Sequence, residues 1–144
     1  MKNSNFKLFA AVILIIAAFP SCREGIIDPQ NSVGNLNEPV IYKSANAYTF
    51  QIDAKDVTFT KIDETFLDIT QTDLELNVRD YSGGTVYIKV IGDNLATLYD
   101  DQINNDINGK QATIVNHIAD KLQVEFYNFS GKVKIQLTKT PRTY

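Results

Sequence analysis

From Ala47 onward the chain alternates apolar and polar residues with period two, and this constrains its fold more than any other feature. Successive side chains of a strand point to opposite faces, so such alternation marks strands with one buried and one wet side. Tyr48, Phe50 and Ile52 share a face, as do Val57 and Phe59. The clearest sets are Leu74, Leu76 and Val78; Val86, Ile88 and Val90; Leu122, Val124 and Phe126; and Val133, Ile135 and Leu137. Leu67 with Ile69 predicts a further short strand, and Ala96 to Tyr99 and Ala112 to Ile118 predict two weaker ones. No stretch after the first 22 residues carries a capped helical stripe. Eight or nine short strands with polar outer faces predict an all-β, two-sheet antiparallel β-sandwich, immunoglobulin-like or jelly-roll-like, over residues 47 to 144.

An internal echo sharpens this expectation. Leu74 to Gly83 reads LELNVRDYSG and Leu122 to Gly131 reads LQVEFYNFSG, each followed by another alternating run. Asp or Asn, an aromatic residue and Ser-Gly between two strands suit a tight reversal, because Asx residues and glycine accept positive φ. Two related hairpins are therefore expected, the first carrying a bulge or longer loop at Gly83-Gly84. Tyr81-Ser82 and Phe129-Ser130 have two readings: recognition at loop tips, or aromatic covers folded back over the core. The recurrence of one residue class at both places favours the cover. Asn128-Phe129-Ser130 also matches a glycosylation acceptor.

The N-terminus has a different composition. Lys2 and Lys7 precede twelve apolar residues, Leu8 to Phe19, and then Pro20-Ser21-Cys22. A finished membrane helix takes roughly 20 apolar residues, so the run reads as an export signal over residues 1 to 21. The arrangement resembles the signal of a bacterial lipoprotein, with Ser21 as the small residue before the cysteine and Phe19 where the pattern usually has Leu. The resemblance implies that Cys22 is lipidated, becomes the first mature residue and anchors the chain to a membrane, since acyl chains contribute about 0.8 kcal/mol per buried methylene. Arg23-Glu24 lacks the Asp that favours inner-membrane retention, which implies the outer membrane of the cell envelope. An ordinary secretory signal that leaves a free thiol is the other reading. With one cysteine in 144 residues, no intramolecular disulfide can form, and the domain must be held by its core.

Residues 22 to 46 form the lipidated cysteine and a tether rich in Gly, Pro and Asn. As a flexible coil it would reach about 27 Å. Val40 to Lys43 near its end is expected to touch or join the folded body.

Charge narrows the partners. Both Lys2 and Lys7, and none of the 17 acidic residues, lie before Cys22, so 12 basic residues face 17 acidic ones thereafter, a net charge of −5. Such a balance argues against a nucleic-acid partner, which needs clustered Lys and Arg. It argues equally against charge-driven binding to anionic lipid.

Chemistry-bearing residues are few. The sole histidine, His117, is the only conventional base, and it has no motif around it. Asp63-Glu64 and Asp100-Asp101 are formal carboxylate pairs, but adjacent acids in loops are usually solvated. No enzyme is expected. Asn104, Asp106 and Asn108 before Gly109 echo the rhythm of a calcium loop, although Val115 stands where a bidentate Glu belongs, and a plain polar connection is the simpler reading. Binding is the stronger expectation. Tyr87, Lys89, Ile91, Glu125 and Tyr127 fall out of phase with the core residues, and if their strands lie side by side they form an exposed aromatic patch. A neighbouring envelope protein is the leading partner, with a glycan as the alternative.

Overall fold

The computed structural model describes residues 35 to 140. Six antiparallel strands form one connected sheet with no helix among the described residues. They are β1 (Val40–Lys43), β2 (Ala47–Glu64), β3 (Gln71–Gly92), β4 (Thr97–Ile103), β5 (Ile107–Val115) and β6 (Ala119–Lys139). Their order is β1-β2-β6-β3-β4, with β5 also paired to β3.

The all-β antiparallel class is as expected, while the strand count differs for a physical reason. β2, β3 and β6 run 18, 22 and 21 residues, and each contains two of the expected short strands in continuous pairing. The segments read as hairpin turns are bends within these long strands. Register shifts fall between Ala54 and Val57 of β2 and between Arg79 and Thr85 of β3, all along one line across the sheet. At that line Asp56, Asp80 and Asn128 take positive φ of 53°, 54° and 48°, a conformation that Asp and Asn tolerate better than other side chains. Gly84 is required there, because a Cβ would lie 2.2 Å from the carbonyl oxygen of Asn128.

The bend line divides the sheet into two arms. The proximal arm contains β1, the first half of β2, the second half of β6, the first half of β3, and β5. The distal arm contains the second half of β2, the first half of β6, the second half of β3, and β4. β4 and β5 run in the same direction along β3, so together they act as one more bent strand that is broken at the line, at residues 104–106. Val40–Lys43 joins the body as its edge strand. The expected strand at Leu67 and Ile69 is irregular chain; Leu67 nonetheless plugs the core, with Thr65 Oγ1 accepting its N–H.

The arms close on each other. Lys43, opposite Tyr48 at the start of β2, lies 2.8 Å from Asp63 near its end, points that a straight strand would hold about 50 Å apart. Phe50 of the proximal arm and Phe126 of the distal arm stack with centroids 6.4 Å apart. The period-two sets meet in this one core: Tyr48, Phe50, Leu76, Val86, Val90, Ile135 and Leu137 are fully buried.

Side chains satisfy the backbone along the bend. Ser130 Oγ accepts the N–H of Asp56 at 2.8 Å, and Thr58 Oγ1 both accepts the N–H of Asn128 and donates to its Oδ1. Phe129 is wholly buried against Tyr81, 6.0 Å between centroids, and the Tyr81 hydroxyl donates to Gly84 O. These residues therefore cover the core, at a bend where a turn tip was expected.

Candidate functional site

Two outward-facing rows become neighbours when β3 and β6 pair. Register sets Tyr87 opposite Glu125, Lys89 opposite Gln123 and Ile91 opposite Lys121, with Tyr127 opposite Thr85. The expected side-by-side arrangement of Tyr87, Lys89, Ile91, Glu125 and Tyr127 is thus present on the outer face of the distal arm. β4 adds a third row, with Gln102 beside Tyr87 and Asp100 beside Lys89.

The three rows line an open groove of about 470 Å³, walled by Tyr87, Lys89, Asp100, Gln102, Gln123 and Glu125. Tyr87 and Tyr127 stay 40% and 49% exposed, although their rings meet edge to face at 5.5 Å and 85°. Such a pair contributes roughly 0.5 to 1.5 kcal/mol beyond its buried area, which favours this mutual arrangement of the two rings. Glu125 is fixed from both sides: the Tyr127 hydroxyl donates to Oε2 at 3.1 Å, and Gln123 Nε2 donates to Oε1. That hydrogen bond and the charge of Glu125 push the Tyr127 phenol above its ordinary value, so it remains a neutral donor. Ile91 is half-buried and does not line the groove.

Asp101 also borders the groove, but its carboxylate is engaged elsewhere. Its Oδ2 accepts the Tyr99 hydroxyl at 2.9 Å and the Lys110 ammonium at 2.7 Å, which ties β4 to β5 across the two arms. Burial first, and then this carboxylate, push the Tyr99 phenol well up. The adjacent acids therefore have separate tasks, Asp100 in the groove and Asp101 at the seam. Gln102 and Gln123 were not singled out in the sequence, and Asp100 only as half of a carboxylate pair; their alternation in Tyr99 to Gln102 and Leu122 to Glu125 was visible, but which strand lies beside β3 was not.

The other candidate residues are dispersed. Asn104 and Asp106 stand at the corner between β4 and β5, while Asn108 lies within β5. The Asp106 carboxylate accepts the N–H of Tyr81 at the bend, so its evident task is to fasten this corner. Among the described residues no group of three or more His, Cys, Asp or Glu could hold a metal ion. His117 is exposed in the connection from β5 to β6. Asp63 belongs to a cluster the sequence did not foretell: Lys43 Nζ reaches its carboxylate and donates to Glu64 O, 4.7 Å above the Phe66 ring centroid. The buried Tyr48 hydroxyl faces Asp63 without a well-aligned hydrogen bond, and burial first, then the Asp63 charge, push its phenol strongly up. Cys22 and residues 1 to 21 lie outside the described residues.

No protein-family model matches the chain, and no curated protein matches it. Among solved structures, a chain of the infectious bursal disease virus Gx strain shares 16% identity over 76% of this chain and 35% of its own, at a TM-score of 0.27. The capsular polysaccharide assembling protein CapF from Staphylococcus aureus shares 10% over 73% of this chain and 29% of its own, also at 0.27. The chain spans about a third of the length of either. At that TM-score neither likeness bears on fold or function.

Proposed function

We infer that this chain is a lipid-anchored protein of the cell envelope, held through Cys22 to the outer membrane, and that it acts by binding another envelope component. The export signal over residues 1 to 21 supports the location. The bent sheet, with arms closing on a shared core, supports reading the body as a two-layer sandwich of the immunoglobulin-like or jelly-roll-like kind. The observation that carries the binding role is the groove on the distal arm, where half-exposed Tyr87, with Tyr127 edge-on against it outside the lining, stands among polar side chains that converge on one space. A neighbouring protein is one occupant for such a face. The row of carboxamides and a pre-fixed carboxylate favours a carbohydrate as the second.

Two measurements test the reading. Fatty-acid labelling should mark the native chain and fail on Cys22→Ala; equal unlabelled bands would remove the anchor. A photo-reactive residue replacing Tyr87 in membrane-anchored protein should capture an envelope component, whereas one replacing Lys134 on the opposite outer face should not. Equal capture, or none, at both positions would remove the binding face.

A further inference from the structure

We propose that the groove between β6, β3 and β4 is a carbohydrate site that takes neutral oligosaccharides, with Tyr87 as the stacking platform and Glu125, Gln123, Gln102 and Asp100 as hydroxyl-binding groups. This assignment deepens the binding role given to that face and rests on it. A sugar ring offers an apolar face of C–H groups and a rim of hydroxyls that both donate and accept. It therefore needs an aromatic plane beside planar side chains of both hydrogen-bonding kinds. The groove supplies each part: Tyr87 half-exposed at the wall, carboxamides at Gln102 and Gln123 that donate and accept, and carboxylates at Asp100 and Glu125 that accept.

The geometry is prepared in advance. Glu125 is already held by Tyr127 and Gln123, and Tyr127 stands edge-on to the Tyr87 ring, so little side-chain freedom remains to be lost on binding. The polar rows of β6 and β4 flank β3 two strand spacings apart, roughly 10 Å, which lets hydroxyls on both sides of one ring be reached together. Charge sets the class. Asp100 and Glu125 outnumber Lys89 in the lining, so uronic acids, sulfated or phosphorylated sugars would meet a net negative wall. The elongated outer face of four strands suits a chain of several sugars better than a single ring.

Calorimetric titration of the detergent-solubilised full chain with neutral hexasaccharides (chitohexaose, laminarihexaose and maltohexaose) and with an acidic oligogalacturonate tests this. At least one neutral probe should bind and the acidic one should not. Tyr87→Ala should weaken the neutral probe about tenfold, Gln102→Ala should weaken it as well, and Tyr87→Phe should retain most of the affinity. Lys134→Ala should bind as the native chain does, and unchanged melting temperatures would confirm that each variant is folded. Preference for the acidic probe, or affinity unaltered in folded Tyr87→Ala, would overturn the proposal. Silence from every probe while the photo-reactive group at position 87 still captures a protein would overturn the ligand class and leave the binding face standing. Silence in both experiments would remove the binding face itself.

Discussion

The two arms are built from halves of the same strands, yet their outer faces have different characters. On the proximal arm, cross-strand neighbours are charged or amide-bearing: Asp53 faces Lys132, which also faces Arg79, and Gln51 faces Lys134, which also faces Asn77. Between these side chains the crevice is only about 20 Å³, while beside β5 the same arm opens a space of about 310 Å³ lined by acids, an amide and threonines, with no aromatic residue. On the distal arm, the corresponding rows carry tyrosines and carboxamides around a groove of about 470 Å³. The inward rows of β3 and β6 are alike in both arms, buried and, apart from Thr72, apolar. Folding thus constrains one phase of the alternation in both halves, and the other phase is free to differ, which is where a binding function can be sought.

The sharpest way to break the comparison is to attack the line on which the arms hinge. Gly84→Val should destabilise by about 3 kcal/mol or more, because its new carbon cannot clear the Asn128 carbonyl and its φ of 78° is strained for a β-branched residue. Denaturant unfolding would measure this. A loss below about 1 kcal/mol would mean that the bend relaxes easily and the arms are less tightly coupled than their closure implies.

Phe126→Ala comes next. Its ring lies 6.4 Å from Phe50, 4.9 Å from Phe59 and 5.5 Å from Phe129, so it serves both arms, and its removal should cost about 3 to 5 kcal/mol. Unfolding should stay a single transition. Two separate transitions would show that the arms are independent units.

Lys43→Ala probes the end where the arms meet. Asp63 would lose its cation, and a stability loss of about 1 kcal/mol is expected, since the pair is only partly shielded from water. Faster amide exchange at Thr65 relative to the bend residues would locate the loosening at this end.

Tyr48→Phe sharpens the same point through pH. The Tyr48 phenol ionises with more difficulty in the folded chain than in the unfolded one, whose value is 10.0. Its contribution is therefore complete below about pH 10 and declines as pH rises beyond it. Alkaline unfolding of Tyr48→Phe should be shifted to higher pH, with near-neutral stability little changed. An identical alkaline midpoint would exclude Tyr48 as the titrating group.

The smallest effect belongs to the proximal outer face. Lys132 holds the Asp80 carboxyl below its usual value of 3.8, through a hydrogen bond and charge. That contribution is present above pH 3.8 and fades as pH falls through the lowered value. Asp80→Asn should lose slightly less stability than the native chain on acidification, a difference that added salt erases because both groups are exposed.

Much of the distal site could be read in the sequence. Tyr87, Lys89, Glu125 and Tyr127 declare their outward phase against Val86, Ile88, Val124 and Phe126, and that phase needs only local geometry. Gln102 and Asp100 could not be assigned in the same way, because their place depends on β4 lying against β3 at a particular register. The closed end is harder still: Lys43, Tyr48 and Asp63 come together only because β2 doubles back between them.

What the sequence determined alone was which side chains turn inward, hence an antiparallel all-β body with Tyr48, Phe50, Leu76, Val86 and Ile135 in its core. That follows from alternation within a strand, a property of neighbouring residues. What the tertiary structure decided was whether Asp80-Tyr81-Ser82-Gly83 and Asn128-Phe129-Ser130-Gly131 reverse the chain or merely bend it. Positive φ at an Asx residue and at glycine serves both outcomes equally. The choice depends on whether a partner strand continues alongside past that point, and here β3 and β6 supply that partner to each other across some fifty residues of sequence.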